Sequence, residues 1–409
     1  MNDFTPVIKA TDPRLERLFL TPQFEVRING SGLPETVLRD ITEITYHDSL
    51  TELDQFEITV NNWDPASKAP GGKRRMFRYI GSETEEDLKS GDPDALLFRL
   101  FEPCSKKVVV SMGYLGRLVP MITGNFTTME PSFASSGAAT LAVRGLNATH
   151  QLRTKKFSNA WENRTPCEIV RNLGALTDGG KKRFPVPIDI LPGTESNDDK
   201  IPFVTQTSQF DIDFLLNFAR QFGYEINLVG NTKAEQRLQF GLASSAHRPI
   251  NYQLDWGSTL VDFKPSLTTA GQFKSITVRG WDRKTQMPIA EKVAFDDPEL
   301  KKMNAKFGEL VMQCDPKEEQ TVDQPVFSKV DARKRAIGLM RDNAARIVRG
   351  TGTTVGLPEL RAGTRIRIGN LGARISGDYL VTKSTHTIGE AGYQTKFECR
   401  LEDYTGKPR

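Results

Sequence analysis

The sequence predicts a mainly β protein with an α/β insert: two β-rich regions, each a sandwich or a barrel, flanking a mixed α/β domain. Three observations carry this. Short alternating segments cut by glycine-rich turns run through residues 20–147 and again through 260–401. Between them, Thr207 to Leu242 changes from helical to alternating apolar spacing. Val-Arg-Gly occurs in both β regions, at 143–145 and 278–280, an echo that two related plans would leave.

A chain of 409 residues exceeds one ordinary core and predicts two to four domains. Hydrophobic content of 38% and charged content of 26% fit a folded soluble protein and exclude a disordered one. A net charge of +4 is too small for a dedicated nucleic-acid binder, so no nucleic-acid specificity is expected. No apolar run approaches the ~20 residues of an integral membrane segment. The start, MNDFTPVIKATDPR, carries acids and no apolar core, unlike a secretory leader. Cys104, Cys167, Cys314 and Cys399 form no CxxC pair, and four free, mostly buried thiols in a reducing compartment outweigh a zinc site.

In order, Phe24 to Ile28 alternates and stops at Asn29-Gly30, a strand and a turn. Ile41 to Tyr46 and Phe56 to Val60 read the same way. Residues 65–94 mix Lys73, Arg74, Arg75 and Arg78 with Glu83, Glu85, Glu86 and Asp87, which predicts a solvated insertion or a partner-facing arm. Strands resume at Lys107 to Met112, with breaks expected at Gly113, Gly124, Ser135 to Gly137 and Gly145.

Thr165-Pro166 starts a helix with proline at its first position and Ile169, Val170, Leu173 and Leu176 on its apolar face; Gly179-Gly180 is expected to close it. In the central stretch Ser208 is expected to cap a helix, with Asp211 three residues on. Phe210, Phe214, Leu215, Phe218 and Phe222 share one stripe, and Gly223 ends the helix. Tyr224, Ile226 and Leu228 then alternate as a strand towards a partner near Leu238 to Leu242.

Phe273 to Asp282 is a strand, 284–325 a polar insertion, and Ser328 caps a helix expected to reach Arg349 and stop at Gly350 and Gly352. Near the end, Pro358 and Gly363 frame a turn, Gly377-Asp378-Tyr379 opens a strand, and Gly392-Tyr393 begins the last. Tyr393, Thr395, Phe397, Cys399 and Leu401 share one face by period two.

The helix FDIDFLLNFARQFGYEINL, the strand DQFEITVNNWD, the segment LAVRGLNATHQL and the final strands from GLPELRAGTRIRIGN resemble the baseplate hub family of late-control protein D and valine–glycine repeat protein G. The resemblance runs through most of residues 20–404 and is weakest in the two insertions. It implies two tube-protein-like β-barrels flanking a mixed α/β domain. The expected division is a first barrel over 15–150 with an insertion at 65–100, an α/β domain over 151–256, a second barrel over 257–404 with an insertion at 284–327, and a tail at 405–409.

The resemblance also implies a structural baseplate hub of a contractile phage tail or tail-like injection system. The hub would be a homotrimeric, pseudo-sixfold ring joining the hexameric tail-tube protein to a separate trimeric spike protein, alongside other baseplate proteins. Assembly would occur in the bacterial cytoplasm as part of a virion-like particle, with release from the cell left open. Without Gly- and Val-rich spike repeats, the chain is more similar to protein D. By analogy with spike-fused relatives, Tyr404, Lys407 and Arg409 in the tail are candidate spike contacts, against the commoner fate of a frayed end.

No catalytic, cofactor or metal constellation is visible. His47, His150, His247 and His386 are isolated, and His386 reads as a packed strand residue. Asp211 and Asp213 suit a helix start better than a glycosidase pair. Gly71-Gly72-Lys73 lacks the rest of a phosphate loop. The rival readings are a baseplate-associated cell-wall hydrolase, which needs paired acids or a zinc triad, and a carbohydrate-binding β-sandwich protein, which needs aromatics on one exposed face.

Overall fold

The computed structural model describes residues 21–402 apart from 51, 65–74, 105, 136–137, 148–152, 154, 185, 196–199, 223, 230–236, 243–249, 283–284, 299, 301–307, 315–316, 322–325 and 327. The expected spike contacts Tyr404, Lys407 and Arg409, the terminator Gly223, His150 and His247 lie outside the described residues.

The chain is mainly β. In the first β region, β1 (Pro22–Ile28) turns through Asn29 and Gly30, both at positive φ, into β2 (Ser31–Gly32). Two left-handed residues in a row suit Asn-Gly and match the twist of a hairpin. Then come β3 (Ile41–Ser49), β4 (Gln55–Asn61), β5 (Lys107–Tyr114), β6 (Arg117–Ser132) and β7 (Thr140–Asn147). Gly113, Gly124 and Gly145, expected from sequence to break strands, instead lie inside β5, β6 and β7. At Gly124 a Cβ would collide with the Leu146 carbonyl oxygen, so glycine is there to let two backbones approach. The 65–100 insertion is not wholly a solvated loop. Tyr79, Phe98 and Phe101 are buried, and buried Arg75 lies over the Phe98 ring and pairs with Asp87.

The mixed region opens on β8 (Lys156–Arg164). The helix Pro166–Ala175 follows, capped reciprocally by Thr165 and Glu168. Gly179 and Gly180 do not close that helix. They turn the hairpin β9 (Thr177–Asp178) to β10 (Lys181–Lys182), and Leu176 already leaves the helix extended. β11 (Ile188–Ile190) and β12 (Ile201–Phe210) lead to the helix Asp211–Phe222, then β13 (Tyr224–Val229) and β14 (Arg237–Leu242) pair antiparallel.

Ser208 is not the cap expected from sequence. It sits in β12 at φ 47°, where the register against β8 shifts between Gln206 and Gln209, and the helix begins three residues later. Asp211 instead takes Arg183 and Gln206 as partners. Of the expected stripe, Phe210 ends β12 and lies outside the helix, the Phe222 side chain lies outside the described residues, and Phe214, Leu215 and Phe218 are buried on one face as the spacing predicts. Phe214 stacks between Trp161 and Phe218 at centroid distances of 5.3 and 5.5 Å, and Leu215 is fully buried.

The last region contains β15 (Ile250–Asp255), β16 (Leu260–Leu267), β17 (Phe273–Asp282), β18 (Met287–Ala294), β19 (Lys317–Thr321), β20 (Val348–Val355), β21 (Arg365–Gly369), β22 (Gly377–Gly389) and β23 (Gly392–Leu401). Among the described residues β17 pairs with β18 and β19 alone, in a three-stranded sheet. The Val-Arg-Gly echo therefore joins non-equivalent strands, since β7 lies in the main sheet. The polar 284–325 stretch supplies β18 and β19 and is more than a loop. Ser328 caps the helix Lys329–Ala344 as predicted, but the helix ends at Ala344, well short of Arg349. Gly350 and Gly352 belong to β20, under the Phe263 ring, where a Cβ would clash.

A 13-stranded sheet unites the two β regions in the order β16-β20-β23-β22-β3-β4-β7-β6-β5-β1-β2, with β15 and β21 branching from β22. The path is open among the described residues, and neither end returns to close a barrel. The join is β22 against β3, Lys383–Ile388 facing Ser49–Ile44. Ile388 and Tyr393 pack into the core of the first region, while Val381, Phe397 and Leu401 pack into the last, so one hairpin staples both cores. The mixed region has a third core around Trp161, Phe214 and Phe240.

Candidate functional site

Two places where regions meet carry buried or half-buried charge. The first is the seam of β3 and β22. Period two in β3 puts Ile44, Tyr46 and Asp48 on the buried face, so a carboxylate points inward. The turn before β21 delivers Arg361, whose Nε donates to Asp48 Oδ2 at 2.5 Å and whose guanidinium lies 4.7 Å from the Tyr46 ring centroid. The Ala362 amide donates to the same carboxylate oxygen at 3.2 Å.

Asp54 is a second buried acid here, accepting from Asn147 Nδ2 at 3.1 Å. Burial and then the Asp48 charge push its carboxyl up to about 7. On the other side His386 is fully buried in β22, as expected of a packed strand residue. Its Nε2 lies 3.2 Å from the Leu360 carbonyl and its Nδ1 3.1 Å from the Tyr393 hydroxyl. A neutral ring that donates from Nε2 to the carbonyl and accepts the Tyr393 hydroxyl at Nδ1 satisfies both. Burial, and then Arg361, push it down to about 3. A proton shuttle is thereby disfavoured: the ring holds one state over the working range of pH.

The second place is a cleft of about 430 Å³ between the helix Asp211–Phe222 with β13 and the helix Lys329–Ala344 with β22 and β23. Leu50, Leu216, Tyr224 and Ile226 contribute its apolar lining. At its edge Arg400 is held by Glu225 at 2.7 Å and Glu402 at 3.1 Å, which ties β23 to β13.

Elsewhere, among the described residues, the ends of the large sheet are open. β16 carries Pro265 and exposed Val261 and Leu267, as edge strands do. Trp63, Phe77 and Phe133 cluster at the surface of the first region, with centroids 5.9 and 4.8 Å apart. Among the described residues no group of three or more His, Cys, Asp or Glu could hold a metal, and no helix is long and apolar enough to cross a membrane. Asp213 pairs with Arg153, away from the buried Asp211, so the two acids do not converge. The cysteines are free; Cys167 and Cys399 are buried, Cys104 and Cys314 exposed.

A family model described as the Alg8 N-terminal domain matches residues 98–390, more than half of the chain. The chain belongs to this Alg8 N-terminal domain family. No curated protein matches it. Among solved structures, the 43 kDa tail protein of prophage MuSo2 from Shewanella oneidensis is similar with a TM-score of 0.62 at 13% identity, covering 94% of this chain and 99% of that one. A tail protein from Neisseria meningitidis MC58 gives 0.62 at 13%, covering 95% and 99%. The E. coli c3393 protein, a type VI secretion component with structural similarity to T4 tail proteins gp27 and gp5, gives 0.51 at 12%, covering 91% and 76%. At such identities the likeness is one of fold. This Alg8 N-terminal domain family member thus shares its fold with phage tail and type VI secretion proteins.

Sequence reasoning missed Asp48, Asp54 and Arg361. The signal for Asp48 was present: the alternation that buries Ile44 and Tyr46 carries on to it. Arg361 sits in a turn, and nothing local announces its partner more than three hundred residues earlier.

Proposed function

We propose that this chain is a structural, non-catalytic hub of a contractile phage tail or tail-like injection system, of the late-control protein D kind. Three copies would form a pseudo-sixfold ring joining a hexameric tube to a separate spike. The observation that carries the reading is the fold likeness to phage tail proteins, which covers 94–95% of this chain and 99% of theirs. The sheet ends that stand open among the described residues support it, because a β16 or β1–β2 edge left unpaired is a template for a neighbouring subunit. On this reading residues 15–150 and 257–404 are the two tube-like units, and 151–256 the domain between them. Closed cyclic assemblies reconcile a sixfold partner with a threefold one when each copy supplies two units.

Light scattering on the purified chain tests this. A mass of three chains is expected; a monomer at all concentrations contradicts it. The proposed spike contact through Tyr404, Lys407 and Arg409 has its own test. Deleting residues 404–409 should leave the assembled chain folded and weaken its co-purification with the spike protein, and undiminished co-purification counts against it.

A further inference from the structure

The cleft described above is unequal in charge. Arg220, Arg346, Arg349, Lys383 and Arg400 line it with Glu225 and Asp342, and with the adjoining Glu402 and Glu52 counted five bases meet four acids. Arg400 is neutralised in place by Glu225 and Glu402, and Lys383 reaches Glu52 at 3.1 Å. Arg220, Arg346 and Arg349 are exposed. Such a rim above an apolar floor suits an acidic segment that also carries an aliphatic side chain.

The chain presents such a segment elsewhere. In the first insertion, residues 84–90 form a short turn with Glu85 and Glu86 exposed and Leu88 standing out at 42% exposure. The turn is preorganised. Asp87 accepts from the Thr84 amide and hydroxyl, both at 2.9 Å, and pairs at 2.5 Å with Arg75, itself buried against Phe98. A segment already fixed loses little conformational entropy on docking. Residues 84–90 do not line the cleft of their own chain.

We propose that the Glu85-Glu86-Asp87-Leu88 turn of one copy docks in the basic cleft of the next, with Leu88 towards Leu216, Tyr224 and Ile226 and the glutamates against Arg346 and Arg349. This rests on the ring reading and gives it a head-to-tail contact. Turn and cleft are different surfaces, so each copy offers one and receives the other, which is how a heterologous interface closes a ring.

Association is measured by sedimentation velocity over a concentration series, with the full chain and three variants: Glu85→Lys/Glu86→Lys, Arg346→Glu/Arg349→Glu, and all four changes combined. The altered residues are exposed, so folding, checked by circular dichroism, is expected to be unchanged. Each two-site variant should raise the concentration of half-association by about tenfold or more, because like charges now face each other. The four-site variant should recover most of the loss by restoring opposite charges in swapped positions. Reversal variants that associate like the unmodified chain overturn the contact while leaving the ring intact. An unmodified chain that never associates overturns the ring and the contact together.

Discussion

The seam and the cleft are both places where separate parts of the chain meet over buried or half-buried charge, and they are built differently. At the seam every named group has a partner: Arg361 meets Asp48 across the two regions, while His386 meets Tyr393 and Leu360, and Asp54 meets Asn147, each within its own region. The charges there are enclosed, and cutting one leaves another stranded in low dielectric. In the cleft Arg400 is held between Glu225 and Glu402 and Lys383 reaches Glu52, while Arg346 and Arg349 are exposed to solvent. Enclosed, reciprocated polarity marks a joint internal to one chain. Open, unbalanced polarity marks a surface left for something else.

The sharpest way to break this contrast is to cut one charge at each place. Arg361→Ala is expected to destabilise the chain by about 3–5 kcal/mol, because Asp48 is left buried without its partner. Arg349→Ala at the cleft is expected to fall within about 0.5 kcal/mol of the unmodified chain. Urea unfolding of both checks this, and equal effects would erase the distinction. Phe214→Ala probes the third core, where hydrophobic packing alone operates. Losing a ring stacked between Trp161 and Phe218 should cost about 3–5 kcal/mol as a cavity. An unfolding curve like that of the unmodified chain would contradict the packing role.

The seam should also show itself in pH dependence, with two opposed contributions. Asp54 titrates at about 7 in the fold, against about 3.9 when unfolded. The native chain therefore holds the extra proton between these values. Stability from this group is complete below about pH 4 and is lost as pH rises through about 7. His386 titrates at about 3 in the fold against about 6.5 unfolded, so its contribution is present above pH 6.5 and is lost as pH falls towards 3. Asp54→Asn should flatten the decline between pH 4 and 7, and His386→Gln should lessen the acid loss. Unfolding curves at pH 4, 5.5 and 7 separate the two, and slopes unaltered by either change would place the protons elsewhere.

The smallest expected effect concerns Ser208, held at φ 47° in the β12 bulge. Glycine adopts that conformation without steric cost, so Ser208→Gly should be neutral or stabilising by up to about 1 kcal/mol. A clear loss on thermal unfolding would mean that the hydroxyl, and not the backbone, governs the site.

Much of the fold was legible in sequence because local rules governed it. The Thr165 and Ser328 caps, the Asn29-Gly30 turn, the Phe214 to Phe218 stripe and the buried face of β23 all follow from spacing and side-chain chemistry within a few residues. What misled was punctuation by glycine. Gly124, Gly145 and Gly350 read as breaks, yet they sit inside strands, Gly124 because another backbone comes close and Gly350 because the Phe263 ring does. Ser208 likewise had a capping residue's chemistry, but pairing with β8 kept it in a strand. The seam was the least legible part. Its partners lie at opposite ends of the chain, and the continuous sheet that brings them together depends on a pairing of β3 with β22 that no local pattern encodes.

The central claim is that this chain supplies two β units to a closed ring. An electron cryo-microscopy map of the purified assembly tests it most directly. The expected map shows three copies around one channel, six β-rich densities in the ring, and the residue 84–90 turn of each copy seated in its neighbour's cleft. A monomer, a twofold dimer or an open filament would contradict it.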